Sequence, residues 1–417
     1  MTWPDNFEGG ILGDGRPASA TDRPESIDAL RQIVTDRVEQ GFALYPQGGC
    51  TALDYGGVPR DPGIAIDTRA LCRIIDYPAA DMTVTVEAGI TLAVLRDLLS
   101  IQNQRLLIDV PDLDRATVGA VYATNTSGPR RFGAGRPRDQ ILGVGFVTSD
   151  GALVRGGGRV VKNVAGYDFP RLLTGSMGTL GIIAEVTLKV RPRPEASVLV
   201  WTSIQSAGQL GEALEKLNTS ATRPIAIEIL NPSAANAIGS PLGLRSDHWV
   251  LAVGFEDNIA SVAWQVKTLC SELSAFESTV IEGEETEPLW AALIGFQARS
   301  FGPITLVANV RPSAVARMSA LFDPDRWMVQ AHAGNGIVRA HLTETPDLET
   351  IASEIQGHRT FAVLDGGNLV LPRCPTEWKS RLKVWGEPRP DWAVCEKIKQ
   401  ALDTRGVMNP GRFVGKI

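Results

Sequence analysis

The sequence is poor in residues that build covalent or metal-based scaffolds. Its 417 residues include five cysteines, which are scattered and nowhere arranged as CxxC: Cys50, Cys72, Cys270, Cys374 and Cys395. This pattern is typical of reduced thiols and argues against a disulfide framework or a Cys-rich zinc or iron–sulfur site. Only four histidines are present, and all of them lie from His248 onward.

Long apolar runs and a strong charge of one sign are also missing. No run reaches the roughly 18 apolar residues that span a bilayer, and the N-terminus "MTWPDNFEGG" lacks the basic and apolar regions of a secretory signal. The net charge of −6 disfavours broad binding to nucleic acid or to an anionic membrane. We therefore expect a cytoplasmic chain with no transmembrane segment and no nucleic-acid partner.

The two familiar nucleotide-binding fingerprints are absent as well. No GxxxxGK[ST] occurs, which argues against a P-loop ATPase or GTPase. No GxGxxG lies between a predicted strand and a predicted helix, which argues against a Rossmann dinucleotide site.

The chain does have the length and composition of a multidomain globular protein. Hydrophobic residues make up 44% and charged residues 21%, a balance that supplies sizeable cores. Of the 42 glycines, 25 lie in residues 1–200, whereas eight of the nine tryptophans lie from Trp201 onward. The X-Pro steps of "RPRPEAS" (191–197) favour extended chain, so we predict a domain boundary there.

Local patterns predict mixed helix and strand on both sides of this boundary. In the first half, apolar residues at helical spacing predict a helix in 24–40, period-two alternation predicts a strand in 82–89, and residues 91–100 read as a helix with Thr91 as N-cap. A glycine turn feeds a long strand in 178–192. In the second half, "HWVLAVGF" and "ITLVANVR" alternate with helical runs such as 259–273, which is typical of an α+β domain with an antiparallel sheet.

The stretch "YPQGGCTALDYGG" (45–57) is a first candidate for ligand binding by backbone. A strand that runs into Gly48 and Gly49 lets the main chain approach a ligand without a Cβ in the way. Successive N–H groups in such a turn form a nest for anions. Taken alone, however, this stretch is more typical of an ordinary hairpin turn.

Two later stretches are also rich in small residues. "DVPDLDRATVGAVYATNTSGPRRFGAGRPRDQ" (109–140) could press its backbone against a large flat ligand or form a helix packed closely on a sheet. Its arginines, Arg130, Arg131, Arg136 and Arg138, form either a solvated loop or a loop that contacts an anion. In "KNVAGYDFPRLLTGSMGTLGII" (162–183), glycines at 175, 178 and 181 again suggest a ligand-contacting loop.

Taken in order, these stretches resemble the vanillyl-alcohol oxidase / p-cresol methylhydroxylase (PCMH) type of FAD-binding proteins. "YPQGGCT" resembles that family's pyrophosphate turn, "ATVGAVYATNTSG" its second flavin-contacting segment and "GSMGTLGIIAEVTLKVRP" its third. Residues 64–99 follow the family's succeeding strands and helix, and "GVMNPGRF" resembles its closing NPG motif. Within the family, the likeness is to the smaller FAD-binding subunits of bacterial glycolate oxidase (glycolate dehydrogenase) complexes.

The resemblance implies an α+β fold that binds FAD, and because the FAD-binding half contains no histidine for a covalent link, we expect FAD to be held non-covalently. It implies a two-subdomain PCMH-type FAD-binding domain over 1–195 with a core at about 20–193, an α+β cap domain with an antiparallel sheet over 196–385, and a helix and tail over 386–417 that return to the first domain. The residues it places on FAD are Gly48, Gly49, Cys50 and Thr51 at the pyrophosphate; Pro111, Thr117, Val118, Gly119, Ala123, Asn125, Ser127 and Gly128 along the flavin ring and ribityl chain; Gly178, Gly181 and Ile183 near the adenine; and Asn409 from the tail.

The catalytic residues are less well defined. Relatives that oxidise D-2-hydroxy acids carry a cap motif resembling GHxGDGNxH, and its counterpart here is "AHAGNGIVRAH" (331–341). His332 is kept, Asn335 replaces the motif's Asp, Arg339 stands at its second His, and His341 falls two residues out of register. Because an arginine cation repels a metal, we expect no metal site. His332 and His341 could be structural, and Arg339 or Arg299 could grip a substrate carboxylate.

Three functions fit these observations. The chain could be an FAD subunit of a glycolate/D-lactate dehydrogenase complex, with a larger FAD-binding catalytic subunit and an iron–sulfur subunit as partners, peripheral at the inner membrane through that complex. It could be a free-standing flavin alcohol oxidase or dehydrogenase. It could be a flavin-binding assembly subunit without activity of its own. Some family members tether FAD through a histidine near position 50, but Cys50 stands here, and a small buried thiol is the expected role.

Overall fold

The computed structural model of the protein describes residues 10–60, 62–158 and 166–417. Residues 162–165 of the third glycine-rich stretch therefore lie outside the described residues. The chain divides into two compact units: the first contains Met1–Thr126, Arg136–Pro192 and Glu387–Ile417, and the second contains Ser127–Gly135 and Arg193–Gly386. Residues 127–135 thus group with the second half of the sequence.

The regular elements of the described residues are as follows. The helices are α1 Ile27–Glu39, α2 Leu92–Ser100, α3 Val118–Thr124, α4 Arg131–Ala134, α5 Phe169–Leu173, α6 Ala207–Thr219, α7 Pro232–Gly239, α8 Ile259–Glu272, α9 Thr286–Gly295, α10 Val315–Ser319, α11 Leu348–Leu364, α12 Lys379–Leu382 and α13 Trp392–Leu402. The strands are β1 Ile11–Gly13, β2 Arg16–Pro17, β3 Ala20–Asp22, β4 Ala43–Gln47, β5 Gly63–Asp67, β6 Ile74–Asp76, β7 Thr83–Glu87, β8 Gln104–Arg105, β9 Ile141–Val147, β10 Leu153–Gly157, β11 Ile182–Lys189, β12 Arg191–Pro192, β13 Ala196–Ile204, β14 Ala226–Leu230, β15 Trp249–Asp257, β16 Glu277–Glu282, β17 Ile304–Asn309, β18 Trp327–His332, β19 Ile337–Leu342 and β20 Asn368–Arg373.

The first unit is built on two main sheets. Strands β3, β5 and β4 form a parallel sheet in the order β3–β5–β4, and an antiparallel sheet has the order β10–β9–β11–β7–β6. Helix α1 begins after Ser26, whose hydroxyl accepts the Ala29 N–H at 3.1 Å and so satisfies one of the otherwise unpaired donors of the first turn. Its buried Leu30, Val34 and Val38 recur every four residues and form one apolar face.

The predicted elements of this unit are confirmed. The helix predicted in 24–40 is α1, the alternating strand is β7, and the helix predicted at 91–100 is α2. Thr91 caps α2 by accepting the Val94 N–H at 3.4 Å. The strand predicted after the glycine turn is β11, and it pairs with both β7 and β9 in the middle of the larger sheet.

The second unit contains one eight-stranded antiparallel sheet, as the α+β prediction for this half requires. Its strand order is β16–β13–β15–β14–β18–β19–β17–β20. Alternate side chains point to opposite faces, so the sheet has two apolar layers: helices α6, α8, α10 and α11 cover one face, and α7 and α9 cover the other. None of the helices in the described part of the chain combines the length and apolar character that crossing a bilayer requires.

Candidate functional site

A groove in the first unit brings the three small-residue stretches together. Including the solvent space at its open mouth, it has about 810 Å³ of empty volume. It is lined by the end of β4, the turn that follows, α3, residues 177–183 and the C-terminal tail. We call this feature the first-unit groove.

The turn after β4 offers backbone donors to this groove. Among the hydrogen bonds of the described residues, none is donated by the backbone N–H groups of Gly48, Gly49, Cys50 or Thr51. Cys50 has a left-handed backbone with φ of 58°, a conformation that favours glycine or asparagine. Thr68 anchors the start of the turn, because its hydroxyl donates to the Gln47 carbonyl at 2.9 Å. The turn therefore has the row of unengaged donors that anion nests use.

The two glycines of the turn, Gly48 and Gly49, lie too close to neighbouring residues to carry a side chain. A Cβ on Gly48 would lie 2.0 Å from Thr117 Oγ1, and a Cβ on Gly49 would lie 1.6 Å from the Arg115 carbonyl oxygen. The absence of a side chain at both positions therefore lets the turn pack against residues 115–117. Thr117 Oγ1 is buried and has no hydrogen-bond partner among the described residues.

Helix α3 lies along the groove with its small side chains. The residues of α3 that line the groove are Gly119, Ala120, Ala123 and Thr124. The stretch thus forms the packed helix of small residues that was one of its two predicted structures. The N–H of Gly119 donates to the Ala88 carbonyl at 2.7 Å, and a Cβ on Gly119 would lie 2.9 Å from the Ala88 Cβ. The first turn of the helix is thus held by protein contacts, and the groove meets mainly methyl and methylene surface.

The third stretch and the tail complete the groove. Met177 and Gly178 have left-handed φ values of 56° and 69°, which fold the chain back beside Pro46. Asn409, also left-handed, donates its side-chain amide to the Met177 carbonyl. Its backbone N–H donates to the Leu44 carbonyl at 2.8 Å, so the tail is fixed to β4.

The second unit carries a set of polar side chains on the sheet face covered by α7 and α9. His332 Nδ1 lies 2.8 Å and 2.9 Å from the two carboxylate oxygens of Glu228. Gln330 Nε2 donates to Glu228 at 2.7 Å and to the Leu293 carbonyl at 3.1 Å. Arg339 pairs with Gln330 across β18 and β19, so it lies on the same face. We call Glu228, Gln330, His332 and Arg339 the polar stripe.

The polar stripe is largely buried. The side chains of His332 and Glu228 are 8% and 1% exposed. A carboxylate can only accept, so His332 donates its Nδ1–H to Glu228 and its Nε2 lies on the opposite side of the ring. His332 Nε2 makes no hydrogen bond to another residue in the described ranges. The pair therefore presents an oriented imidazole.

The other two polar residues singled out in this unit do not join the polar stripe. His341 is buried, with Nδ1 2.9 Å from Thr305 Oγ1 and its ring edge-on to Phe296 at 4.6 Å. Burial, together with Arg339 and Arg373, lowers the pKa of His341 to about 3, so it is a neutral core residue. Arg299 is exposed after α9. Within the described residues, no group of three or more His, Cys, Asp or Glu side chains is arranged to hold a metal.

Arg130 corrects the interpretation of the arginine-rich loop. It lies in the second unit, where its guanidinium pairs with Glu256 at 2.8 Å and stacks 3.8 Å from the Trp290 ring centroid. Its side chain is only 14% exposed. For Arg130, both the solvated loop and the anion-contacting loop are therefore wrong, because a partner 126 residues away in the sequence already neutralises its charge.

Two sequence models of protein families match the chain. One, described as an FAD binding domain, matches residues 18–157, and the other, the C-terminal domain of FAD-linked oxidases, matches residues 193–306. The chain is 33% identical over 421 residues to a D-2-hydroxyglutarate dehydrogenase of Xanthomonas citri pv. viticola, covering 94% of this chain and 88% of that protein. The chain belongs to the FAD-linked oxidase family. It is an FAD-dependent oxidoreductase, and FAD is its cofactor.

Two further likenesses agree with this membership. The chain is 28% identical over 361 residues to glycolate oxidase subunit GlcE of Escherichia coli strain K12, covering 85% of this chain and 88% of that protein. A solved alkyldihydroxyacetonephosphate synthase has a TM-score of 0.68 and 19% identity, covering 94% of this chain and 75% of that one. The latter shows that the chain shares the fold of this synthase over nearly its whole length.

The first-unit groove fits FAD. The cofactor carries two adjacent phosphates and a flat ring, which require donors at one place and an apolar slot at another. The turn at Gly48–Thr51 has unengaged N–H groups, and α3 with residues 177–183 gives a lining of small and apolar side chains. Both requirements are met by residues already on the groove wall.

The structure distributes the sixteen predicted FAD residues unevenly. Those on the groove wall are Gly48, Cys50, Thr51, Gly119, Ala123, Gly178, Gly181, Ile183 and Asn409. Gly49, Pro111, Thr117, Val118 and Asn125 belong to the same unit but are not on the wall. Ser127 and Gly128 belong to the second unit.

Several groove residues were missed by the sequence reasoning. Ala120 and Thr124 line the wall and lie inside the quoted small-residue stretch, so helical spacing could have included them. Arg412 lines it as well; it follows the NPG motif directly, and its buried guanidinium donates to Asp14 at 2.7 Å. Glu228 was missed too, although a lone acid in the apolar run "IAIEIL" is a visible signal.

Proposed function

We propose that the chain oxidises the CH–OH group of a small 2-hydroxy acid such as glycolate or D-lactate, as an FAD-binding subunit of a dehydrogenase complex. The observation that carries this proposal is the buried pair of His332 and Glu228, which orients an imidazole whose Nε2 is unengaged within the described residues. The names of two relatives support the substrate class, because glycolate and 2-hydroxyglutarate both carry a hydroxyl next to a carboxylate.

FAD is proposed to lie along the first-unit groove. The N–H groups of Gly48–Thr51 would donate to its pyrophosphate, and α3, residues 177–183 and Asn409 would lie along the rest of the molecule. Bound FAD supplies the acceptor for the hydride that leaves the substrate carbon. Because burial raises the pKa of the Cys50 thiol, Cys50 is a weak nucleophile and FAD is proposed to be held non-covalently.

The polar stripe is proposed to act on the substrate. Glu228 accepts the Nδ1–H of His332 and so fixes the tautomer whose Nε2 lone pair takes the hydroxyl proton. As the O–H bond breaks and an N–H bond forms, the carbon becomes a carbonyl and its hydride leaves. Arg339, on the same sheet face, would hold the substrate carboxylate through its guanidinium.

The partners are proposed from the relatives rather than from this chain's surface. The name of one relative describes a subunit of glycolate oxidase. A larger FAD-binding catalytic subunit and an iron–sulfur subunit would then complete the complex, with electrons passing to the iron–sulfur subunit or to a quinone. A flavin-binding assembly subunit is the second candidate, because Asn335 and Arg339 replace the acid and the second histidine of the motif in related oxidases.

The test is turnover by the purified chain and by its native complex. We expect the FAD-loaded chain to reduce a dye acceptor with glycolate, D-lactate or D-2-hydroxyglutarate, and to co-purify from its host with iron-containing partners. Activity only in the complex, and unchanged there by His332→Gln, would support the assembly role instead. A preparation that is colourless and takes up no added FAD would refute every form of the proposal.

A further inference from the structure

A buried lysine links two walls of the first-unit groove without itself lining the groove. Lys399, on α13, has a side chain that is 9% exposed. Its ammonium nitrogen lies 2.7 Å from the Thr179 carbonyl oxygen, 2.6 Å from the Met408 carbonyl oxygen and 2.6 Å from Asp403 Oδ2. An ammonium has three donors, so all three are used by the protein.

The two carbonyls belong to residues next to the groove wall. Thr179 directly follows Gly178, and Met408 directly precedes Asn409, and both Gly178 and Asn409 line the groove. The two acceptor segments are 229 residues apart in the sequence, at positions 179 and 408. Lys399 therefore fixes the spacing between the third small-residue stretch and the C-terminal tail.

Asp403 extends the same contact into the tail. Its side chain is fully buried, and it accepts the Val407 N–H at 3.2 Å and the Met408 N–H at 2.7 Å. The tail then continues to Asn409, whose amide reaches the Met177 carbonyl. Removing the ammonium would leave the buried Asp403 carboxylate without its counter-ion and would take a donor away from two carbonyl oxygens, an arrangement that a folded chain tends to relieve by moving.

We propose that Lys399 is a positioning residue for FAD: its ammonium holds Thr179 and Met408 so that Gly178 and Asn409 form the two sides of the cofactor groove. The inference rests on the proposed location of FAD in the first-unit groove. It assigns no contact between Lys399 and FAD, because Lys399 does not line the wall.

The test compares Lys399→Met with Lys397→Met, an exposed lysine of the same helix. FAD dissociation constants are measured by flavin fluorescence, and chemical denaturation is measured with and without FAD. We expect FAD affinity at least tenfold weaker in Lys399→Met, with a smaller gain in stability from FAD, and within twofold of wild type in Lys397→Met. A Lys399→Met chain that is less stable but binds FAD with wild-type affinity would overturn the inference.

Two further variants keep the test decisive. If Lys399→Met does not fold, Lys399→Gln replaces it, because a shorter, neutral amide with two N–H groups cannot satisfy the three acceptors at Thr179, Met408 and Asp403; we expect FAD affinity at least threefold weaker, and unchanged affinity in this variant would overturn the inference. Ala120→Phe places bulk on the groove wall itself. If Ala120→Phe loses FAD but Lys399→Met does not, the inference fails and the location stands, whereas if neither variant affects FAD, the proposed location also fails.

Discussion

The turn at Gly48–Thr51 presents backbone N–H groups, whereas the sheet face at Glu228 and His332 presents side chains. In the first-unit groove, glycines and short side chains leave the space in which we propose that FAD lies. In the polar stripe, three hydrogen-bonded side chains are held by neighbouring strands. A bulky substitution should therefore impair FAD binding in the groove, whereas a substitution that keeps the shape and removes one functional atom should impair the polar stripe.

The largest effect on stability is expected at Arg130, a charged residue that belongs to neither site. Arg130→Met removes the guanidinium that pairs with the buried Glu256 carboxylate and should lower the free energy of unfolding of the second unit by about 3–5 kcal/mol. The matched control is Arg138→Met, because Arg138 is half-exposed and 4.0 Å from Asp139; a change within about 0.5 kcal/mol is expected there. Equal urea midpoints for both variants would show that Arg130 is not structural.

Ala120→Phe tests whether FAD binding depends on the shape of the first-unit groove. A phenyl ring on the groove wall would occupy the space proposed for FAD, so we expect the FAD dissociation constant to rise at least a hundredfold, about 2.7 kcal/mol. Ala393→Phe on the exposed side of α13 is the control and should bind as wild type. Titration of FAD fluorescence measures both, and retention of tight binding by Ala120→Phe would place FAD elsewhere.

Titration of His341 should make the folding stability of the second unit depend on pH. Its folded-state pKa is lowered to about 3 by burial, whereas an unfolded histidine titrates near pH 6.5. The unfolded chain therefore binds more protons between these values, so stability falls as pH falls below about 6.5. From His341 alone, we expect the free energy of unfolding to be about 1–2 kcal/mol lower at pH 5 than at pH 7.

Substitution of His341 separates its contribution to the pH dependence of stability from the contributions of other groups. His341→Phe removes the titrating group and should flatten the pH dependence, while His248→Gln, at an exposed position, should leave it unchanged. His358, whose pKa is also lowered by burial, adds a dependence of the same sign that remains in both variants. A His341→Phe chain with the full wild-type slope would contradict a neutral, buried His341.

The smallest effect is expected at Cys50, where the side chain lies in a turn that works through its backbone. Cys50→Ala should change FAD affinity by less than about twofold, or 0.4 kcal/mol. Acid precipitation of wild type should leave the yellow flavin in the supernatant, as a non-covalent cofactor requires. Flavin in the protein pellet, lost in Cys50→Ala, would show a thioether bond instead.

The sequence predicted the elements whose signals are local. Alternation in 82–89, the N-cap Thr91 and the glycine turn before β11 each depend on neighbouring residues, and each matches the structure. The three small-residue stretches could also be found locally. Their convergence on one groove could be expected only from the resemblance to an FAD-binding family, because no spacing rule connects residue 48 with residue 178.

The features that were missed depend on partners far away in the chain. The sequence around Arg130 is typical of a loop, but its guanidinium pairs with Glu256, stacks on Trp290 and is largely buried. The sequence around Lys399 is that of an ordinary helix with a lysine, but its ammonium donates to acceptors in residues 179, 403 and 408. Glu228 carried a signal in its own apolar strand, but only strand pairing with β18 reveals that His332 is its partner.

The most direct measurement is the anaerobic rate of flavin reduction in wild type and in His332→Gln at equal bound FAD. With D-lactate or glycolate, we expect the flavin of the wild type to bleach. We expect His332→Gln to keep its FAD but to bleach at least a hundredfold more slowly, and His248→Gln to behave as wild type. Bleaching of His332→Gln at the wild-type rate would contradict the division between a backbone site for the cofactor and a side-chain site for proton transfer.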